Sequence, residues 1–349
     1  MLGIDERALR FVWTIFLFFI LIALIYYIRE TLLVFAGAIF FAYMLSPVVG
    51  VIERFVSKRR AAALTIVYCI LVGLLVLIGF QVVPVAVGQA TNLLNHLPSF
   101  ISGGGIARLK LPHWLEPMRD QVIAAMNEAA TSLQSKAVPF LQQAGTKILS
   151  GVGDLLPIIL IPILAFFFLK DARTIRDCLL ATAEDGRKRD TLRHILQDIH
   201  QVLQSYIRAL VLLSICGFVA WSIFLSAMRY PYDLLLAATA GILEFIPVIG
   251  PAAALVIISV VVVVTGSGGL IWIIVFWAAF RIFQDYVLNP YLMSTGVEMH
   301  PLLVLFGVLA GEKIGGIPGM FFSVPAIAIL RVIYDRLKET HTRRQLTPL

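Results

Sequence analysis

The chain has 349 residues, of which 60% are hydrophobic and 14% are charged, whereas soluble proteins average roughly 45–50% and about 25%. Several uncharged runs are also long enough to cross the ~30 Å hydrocarbon layer of a bilayer as helices. These features exclude a soluble enzyme, a nucleic-acid-binding module and a β-barrel, whose strands are short and alternating. The net charge of +7 fits basic loops beside anionic lipid. The composition predicts an all-α, polytopic helical membrane protein.

The N-terminal region, residues 1–91, predicts three transmembrane helices. Its apolar runs are 11–28, 31–52 and 61–84. The first run lacks a small-residue cleavage site near its end, so we expect a retained helix rather than a removed signal peptide. Basic residues between the second and third runs place that loop in the cytoplasm.

Residues 92–150 differ from the rest because their apolar runs are interrupted and include the three glycines 103–105. We expect this segment to leave the membrane on the extracytoplasmic side. From Arg119 onward, apolar residues recur at three-, four- or seven-residue spacing, which is typical of one face of an amphipathic helix. That face packs either on the helix 89–97 of the same chain or on another subunit of a homo-oligomer.

Residues 151–169 predict a transmembrane helix, and residues 170–205 predict a basic amphipathic helix at the cytoplasmic surface. The basic residues are concentrated, since 18 of the 28 lysines and arginines lie at positions 7–10, 54–60, 170–193 and 331–344. Basic residues favour the cytoplasmic face of a membrane. Both termini, including the tail 336–349, are therefore predicted to be cytoplasmic.

The transport region, residues 206–335, contains two pairs of short apolar segments, each pair separated by helix-breaking residues. Segments 233–246 and 252–265 are each about fourteen residues, or roughly 21 Å as helices, which is too short to cross a bilayer. Segments 302–314 and 320–334 repeat this plan. Each pair is either a re-entrant helical hairpin or a full span kinked by proline. We favour hairpins, because each break combines two helix-breaking pairs.

The two breaks share the pattern Glu-x-Ile-(Pro/Gly)-x-Ile-(Gly/Pro)-(Pro/Gly), which begins at Glu244 in the first and at Glu312 in the second. Interrupted helices leave backbone groups free to coordinate a solute or an ion, and intramembrane carboxylates are functional candidates. Each glutamate either exchanges an ion or proton, or only caps a helix or pairs with a neighbour such as Lys313.

A polar stripe lies on the apolar run between the two pairs. Arg281, Asp285 and Asn289 are spaced at i, i+4 and i+8, which places them on one helix face, with Gln284 beside them. The spacing favours an Arg281–Asp285 salt bridge that orients the helix over direct contact with a substrate. The predicted substrate or ion pathway consists of Glu244, Pro247, Gly250, Pro251, Arg281, Gln284, Asp285, Asn289, Glu312, Gly315, Gly316, Pro318 and Gly319.

Seven short motifs occur in a characteristic order. They are Ser205-Tyr206-Ile207-Arg208, Tyr230-Pro231-Tyr232, the residues 244–251, Asn289-Pro290, His300-Pro301-Leu302, the residues 315–320, and Val324-Pro325. Together they resemble the AI-2E family of bacterial and archaeal membrane proteins, the PerM-like permeases. The resemblance implies an inner-membrane transporter, associated in some members with export of the signal molecule autoinducer-2 and in others with exchange of sodium or lithium for protons.

The predicted function is secondary transport that exports a small polar molecule such as autoinducer-2, coupled to an ion or a proton. The alternatives are Na⁺(Li⁺)/H⁺ antiport and a membrane scaffold that transports nothing, against which the paired breaks argue. The sequence contains no ATP-binding loop, hydrolase motif or metal-ligand spacing, so we predict no enzyme, catalytic residue, metal or cofactor. Expected partners are a small polar solute or cation, the lipid bilayer and further copies of the chain, but no nucleic acid.

Overall fold

The computed structural model describes residues 6–56, 60–77, 156–183, 185–265, 268–292 and 300–346, with isolated positions between 80 and 139. The predicted helical class is confirmed. The helices are α1 (Glu6–Tyr27), α2 (Arg29–Phe55), α3 (Arg60–Leu77), α4 (Leu156–Ala181), α5 (Gly186–Ala227), α6 (Asp233–Leu243), α7 (Ile249–Val264), α8 (Leu270–Phe283), α9 (Asn289–Leu292) and α10 (Pro301–Leu346), with a π-helical turn, Gln284–Leu288, between α8 and α9.

Among the described residues, five helical stretches are long and apolar enough to cross a membrane. They are Arg10–Tyr27, Arg29–Phe55, Lys188–Ala227, Leu270–Leu292 and Pro301–Glu339. Three further apolar stretches of the described residues are shorter: Arg60–Leu74 in α3, Asp233–Leu243, which is α6, and Ile249–Val263 in α7. This pattern supports a multi-pass membrane protein.

The first hydrophobic core is built by α2, α3 and α4. Its buried residues are Ala42, Leu45, Val49, Ala63, Leu64, Val67, Ala165 and Leu169. Two polar side chains of α3 bond to backbone carbonyls of α4: the Tyr68 hydroxyl donates to Pro162 at 3.0 Å, and Arg60 Nη2 donates to Leu169 at 2.8 Å. These bonds matter because a polar group inside a bilayer has no water to bond instead. We call these three helices the frame core.

The second hydrophobic core joins the end of α5 to α6, α7 and α8. Trp221 and Leu225 of α5, Ala237 of α6, Ile258 of α7 and Ile273 of α8 are all buried in it. Phe224 and Phe276 stack with ring centroids 4.1 Å apart, so α5 and α8 are in direct contact. We call this second unit the site core, because it positions the charged groups described below.

The first break separates α6 from α7, which pack against each other on either side of it. Val248 in the break has φ 66° and ψ −56°, a backbone conformation that costs a β-branched residue energy. The chain therefore leaves the helical path at the residues where the sequence predicts a break.

The second break lies inside α10, at Gly315 and Gly316. Gly316 has φ 61° and ψ −141°, a conformation essentially restricted to glycine. The two arms of α10 touch on either side of it: a Cβ added to Gly311 would lie 2.3 Å from the Gly319 carbonyl oxygen, and one added to Gly307 would lie 3.6 Å from Ser323 Cβ. A straight helix would separate residues 307 and 323 by about 24 Å, so the chain folds back on itself here.

The fold-back is a helical hairpin in geometry, and its entry and exit on one membrane face stay a prediction. Helix α4 continues past the predicted membrane end at residue 169 to Ala181, and α5 runs without interruption through the predicted boundary at 205–206. Most of the predicted extracytoplasmic segment 92–150 lies outside the described residues. The division into functional regions also stays a prediction.

Candidate transport site

The site lies where the first break meets α8. Helix α6 ends at Leu243, directly before Glu244, and the indole N–H of Trp277 on α8 donates to the Pro251 carbonyl at 3.0 Å. This bond ties the start of α7 to α8. The π-helical turn continues α8 and shifts the helical register of the residues that follow. Such turns are frequent at functional sites.

Glu244 is largely buried, with 11% of its side chain exposed. Its Oε1 accepts a hydrogen bond from Gln284 Nε2 at 2.9 Å and lies 3.7 Å from Arg281 Nη1. Gln284 is itself 2% exposed. A carboxylate in such a place is stable only when it is charge-paired and hydrogen-bonded, and the two partners meet both needs.

Arg281 is shared between two carboxylates. Its Nε lies 3.2 Å from Asp285 Oδ2, and the amide of Asn289 donates to Asp285 Oδ1 at 3.1 Å. The Arg281–Asp285 salt bridge predicted from the i, i+4 spacing is confirmed. One guanidinium and two carboxylates leave the cluster with a net charge of −1 when both acids are ionised. The cluster can therefore accept one further positive charge.

A small cavity of about 10 Å³ opens beside Glu244, close to the lower limit for one water molecule. It is lined by Trp221, Glu244, Pro251, Ala254, Trp277, Phe280, Arg281 and Gln284. Apolar and aromatic residues predominate in the lining beside a few polar groups, which is typical of sites that hold one small ligand in a fixed orientation.

Comparison with known proteins identifies the family. The sequence profile described as "AI-2E family transporter" matches residues 14–339. The chain belongs to this family. Its relatives include YueF of Bacillus subtilis, 24% identical over 97% of this chain and 96% of that protein, and PerM of Escherichia coli K12, 27% identical over 85% and 84%. A relative from Methanothermobacter thermautotrophicus is 25% identical over 86% of both chains. Their names describe transport proteins and a permease.

In this AI-2E family chain the structure brings together only part of the predicted pathway. Glu244, Arg281, Gln284, Asp285 and Asn289 form one bonded cluster, with Pro251 on the wall of the same cavity. The predicted positions Pro247 and Gly250 lie in the first break and at the start of α7. The predicted positions Gly315, Gly316, Pro318 and Gly319 form the second break and the start of its return arm.

Glu312 has different surroundings from Glu244. Its carboxylate lies 3.5 Å from Lys313 Nζ, and 46% of its side chain is exposed. In the part of the chain that the structure describes, this sequence neighbour is its ion-pair partner. Of the two environments considered for Glu312 in the sequence analysis, the structure therefore shows the ion pair with Lys313.

The two breaks nevertheless meet through aromatic rings. Phe245, next to Glu244, has its ring centroid 5.9 Å from that of Phe321 on the return arm of α10. Phe40 of α2 contacts both rings, at 6.2 Å and 4.6 Å. The tips of the two breaks thus lie side by side against α2.

Sequence reasoning missed these rings and the apolar wall of the cavity. Trp221, Trp277 and Phe280 sit at ordinary apolar helix positions, and aromatic residues at helical spacing are abundant in this chain. The available signal was the position of Phe245 inside the first copy of the break pattern and of Phe321 two residues after the end of the second copy. It names two residues, but not Phe40, which is about 200 residues away in sequence.

Proposed function

We propose that this chain is a secondary transporter that exports a small polar solute in exchange for protons, with Glu244 as the residue that carries the exchangeable charge. The observation behind this proposal is the Glu244–Arg281–Asp285 cluster: a buried carboxylate at a broken helix, next to a cavity. Intramembrane carboxylates of this kind mark ion and proton pathways. Membrane transport is the function of the family.

Asp285 makes protonation of Glu244 feasible. When Glu244 takes up a proton, its carboxylate becomes neutral, and a guanidinium with no other partner would be left uncompensated at high cost. Arg281 keeps Asp285 at 3.2 Å, so the cation stays paired in both protonation states. Gln284 can still donate to the carbonyl oxygen of the protonated acid. The cluster can thus alternate between a net charge of −1 and 0 without losing its internal contacts.

A second candidate function is Na⁺(Li⁺)/H⁺ antiport, and the size of the cavity favours it. A space of about 10 Å³ accommodates a small ion or a water molecule but not a ring-containing solute such as autoinducer-2. Export of such a solute requires a state in which the site is wider. Antiport requires only that Glu244 bind Na⁺ or Li⁺ in place of a proton.

The test is flux through purified protein in proteoliposomes that contain a pH-sensitive dye and carry an imposed pH gradient. Addition of Na⁺ or Li⁺ dissipates the gradient if the protein is an antiporter, whereas only a polar solute such as autoinducer-2 does so if it is an exporter. Glu244→Gln should abolish either response. Asp177→Asn, at an exposed carboxylate of α4, is the matched control. Parental flux in Glu244→Gln would rule out Glu244 as the coupling residue.

The proposal includes a topology with both termini in the cytoplasm of an inner membrane and with each break at the tip of a re-entrant hairpin. A cysteine introduced by Gly268→Cys, after replacement of Cys69, Cys178 and Cys216, should then react with an impermeant maleimide from outside the cell. Labelling from the cytoplasmic side alone would contradict the first hairpin. The predicted homo-oligomer is tested by the mass of the detergent-solubilised protein.

A further inference from the structure

The contact between the two breaks consists of aromatic rings from three separate segments. The Phe40 and Phe321 centroids are 4.6 Å apart with the rings edge to face, and Phe245 lies 6.2 Å from Phe40 and 5.9 Å from Phe321. Phe322 extends the group, 4.6 Å from Phe321. We call Phe40, Phe245 and Phe321 the ring triad.

The position of the triad relative to the charged cluster gives it a role. Phe245 directly follows Glu244, and its ring contacts Phe321 on the return arm of the second break, so these rings form the contact between the two breaks. Apolar constrictions stop ions because water leaves the narrow space and an ion cannot shed its hydration shell there. Rings at this place separate the coupling residue from the other break.

We propose that the ring triad is a hydrophobic gate between the two breaks, which prevents ions from passing without the coupled exchange at Glu244. The inference rests on the proposed function, because a gate has a role only in a protein that transports. It assigns a specificity function to residues that carry neither charge nor hydrogen bonds.

The two sides of the gate are held differently. Phe40 belongs to α2, whose buried residue Ala42 anchors the helix in the frame core. Phe245 lies three residues before Val248 and Phe321 five residues after Gly316, the two positions where the backbone departs from a helix. All three rings are only partly buried. Edge-to-face ring contacts are individually weak, so a shift of either tip away from α2 opens the gate without unfolding a core.

The first arm of the experiment measures the passive proton leak of proteoliposomes under a potassium diffusion potential, with no solute or sodium present. Phe321→Ala should raise the leak by roughly tenfold, and Phe40→Ala should act similarly. Phe321→Leu keeps an apolar side chain and should stay close to the parental leak. Phe168→Ala, which removes a ring that pairs with Phe35 at 6.1 Å between α2 and α4, is the matched control and should not change the leak.

The second arm tests whether the contact must open. Gly37→Cys on α2 combined with Phe322→Cys keeps the three rings of the triad, because a Cβ at Gly37 would lie 3.9 Å from the Phe322 ring; in a chain without native cysteines the pair is joined by a short bifunctional reagent that forms reducible disulfides. Coupled flux should stop on crosslinking and return when a reductant cleaves the link. Unchanged flux in the crosslinked protein, or a parental leak in correctly assembled Phe321→Ala and Phe40→Ala, would overturn the gate. The parental protein distinguishes failure of the two proposals. If the parental protein shows no coupled flux, the transport proposal is contradicted, whereas the gate is judged separately from the proton leak of the Phe321→Ala and Phe40→Ala proteins.

Discussion

At the first break a carboxylate is buried and held by a guanidinium and an amide from α8, whereas at the second break the matching carboxylate is half exposed beside a lysine. The two breaks have similar sequences, but their neighbours differ. In both breaks a glycine allows a close backbone approach, Gly250 toward Leu243 in the first and Gly311 toward Gly319 in the second, but only at the first does α8 supply charged and amide partners for the glutamate. A repeated motif thus specifies a backbone interruption, and the helix packed against it specifies the chemistry.

The comparison predicts that the second break depends on the absence of a side chain where its two arms meet. Gly311→Ala would place a methyl group 2.3 Å from the Gly319 carbonyl oxygen, so the arms must separate. We expect a loss of about 3 kcal/mol or more, seen as a fall of about 10 °C in the melting temperature or as aggregation. Gly73→Ala in α3, where a Cβ meets nothing within 4 Å, is the control. A Gly311→Ala protein with the melting temperature of the parent would contradict the close contact of the two arms.

The first break should depend most on its shared cation. Arg281→Ala leaves Glu244 and Asp285 as two uncompensated carboxylates, so we expect a destabilisation of about 2 kcal/mol, below the 3–5 kcal/mol of fully buried pairs because Arg281 is 31% exposed. Lys313→Ala should cost less than about 1 kcal/mol, since Lys313 is 83% exposed. Thermal unfolding in detergent measures both. Equal effects would make the two breaks electrostatically equivalent.

The salt bridge with Asp285 shows what a sequence can predict. Its spacing of four residues lies on one helix, so local geometry is sufficient, and the glycine and proline pairs likewise located both breaks. The bond between Glu244 and Gln284 joins residues 40 apart, and no local rule selects that partner. The contact of Phe40 with both breaks depends on how α2 packs against them. Long-range packing, rather than helix formation, was the unpredictable part.

The tie between α7 and α8 predicts a smaller effect that is confined to the first break. Trp277→Phe keeps the ring in the cavity wall but removes the bond to Pro251, which should cost about 1 kcal/mol and lower the melting temperature by about 2–4 °C. Trp272→Phe, on an exposed face of the same helix, is the control and should leave the melting temperature unchanged. A Trp277→Phe protein as stable as the parent would mean that the bond does not hold the break.

The smallest expected effect concerns Glu312. Because its side chain is 46% exposed and pairs with a neighbour, Glu312→Gln should keep coupled flux within about twofold of the parent, in contrast to Glu244→Gln. The measurement is the same proteoliposome assay. A loss as complete as that of Glu244→Gln would show that both carboxylates serve transport, as their matching positions in the sequence predict.

Helix α5 connects the surface that we propose to be cytoplasmic with the site. It has 42 residues without proline, which makes a rod about 63 Å long. About a third of the way along it, Tyr43 of α2 bonds to His200 at 2.9 Å and Arg336 of α10 pairs with Asp198. Near its C-terminal end, Trp221 lines the cavity. A tilt of about 5° about one end displaces the other by about 5 Å. A rod of this length has the geometry of a lever arm, and in the proposed topology a tilt imposed at the cytoplasmic surface would alter the shape of the Glu244 cavity.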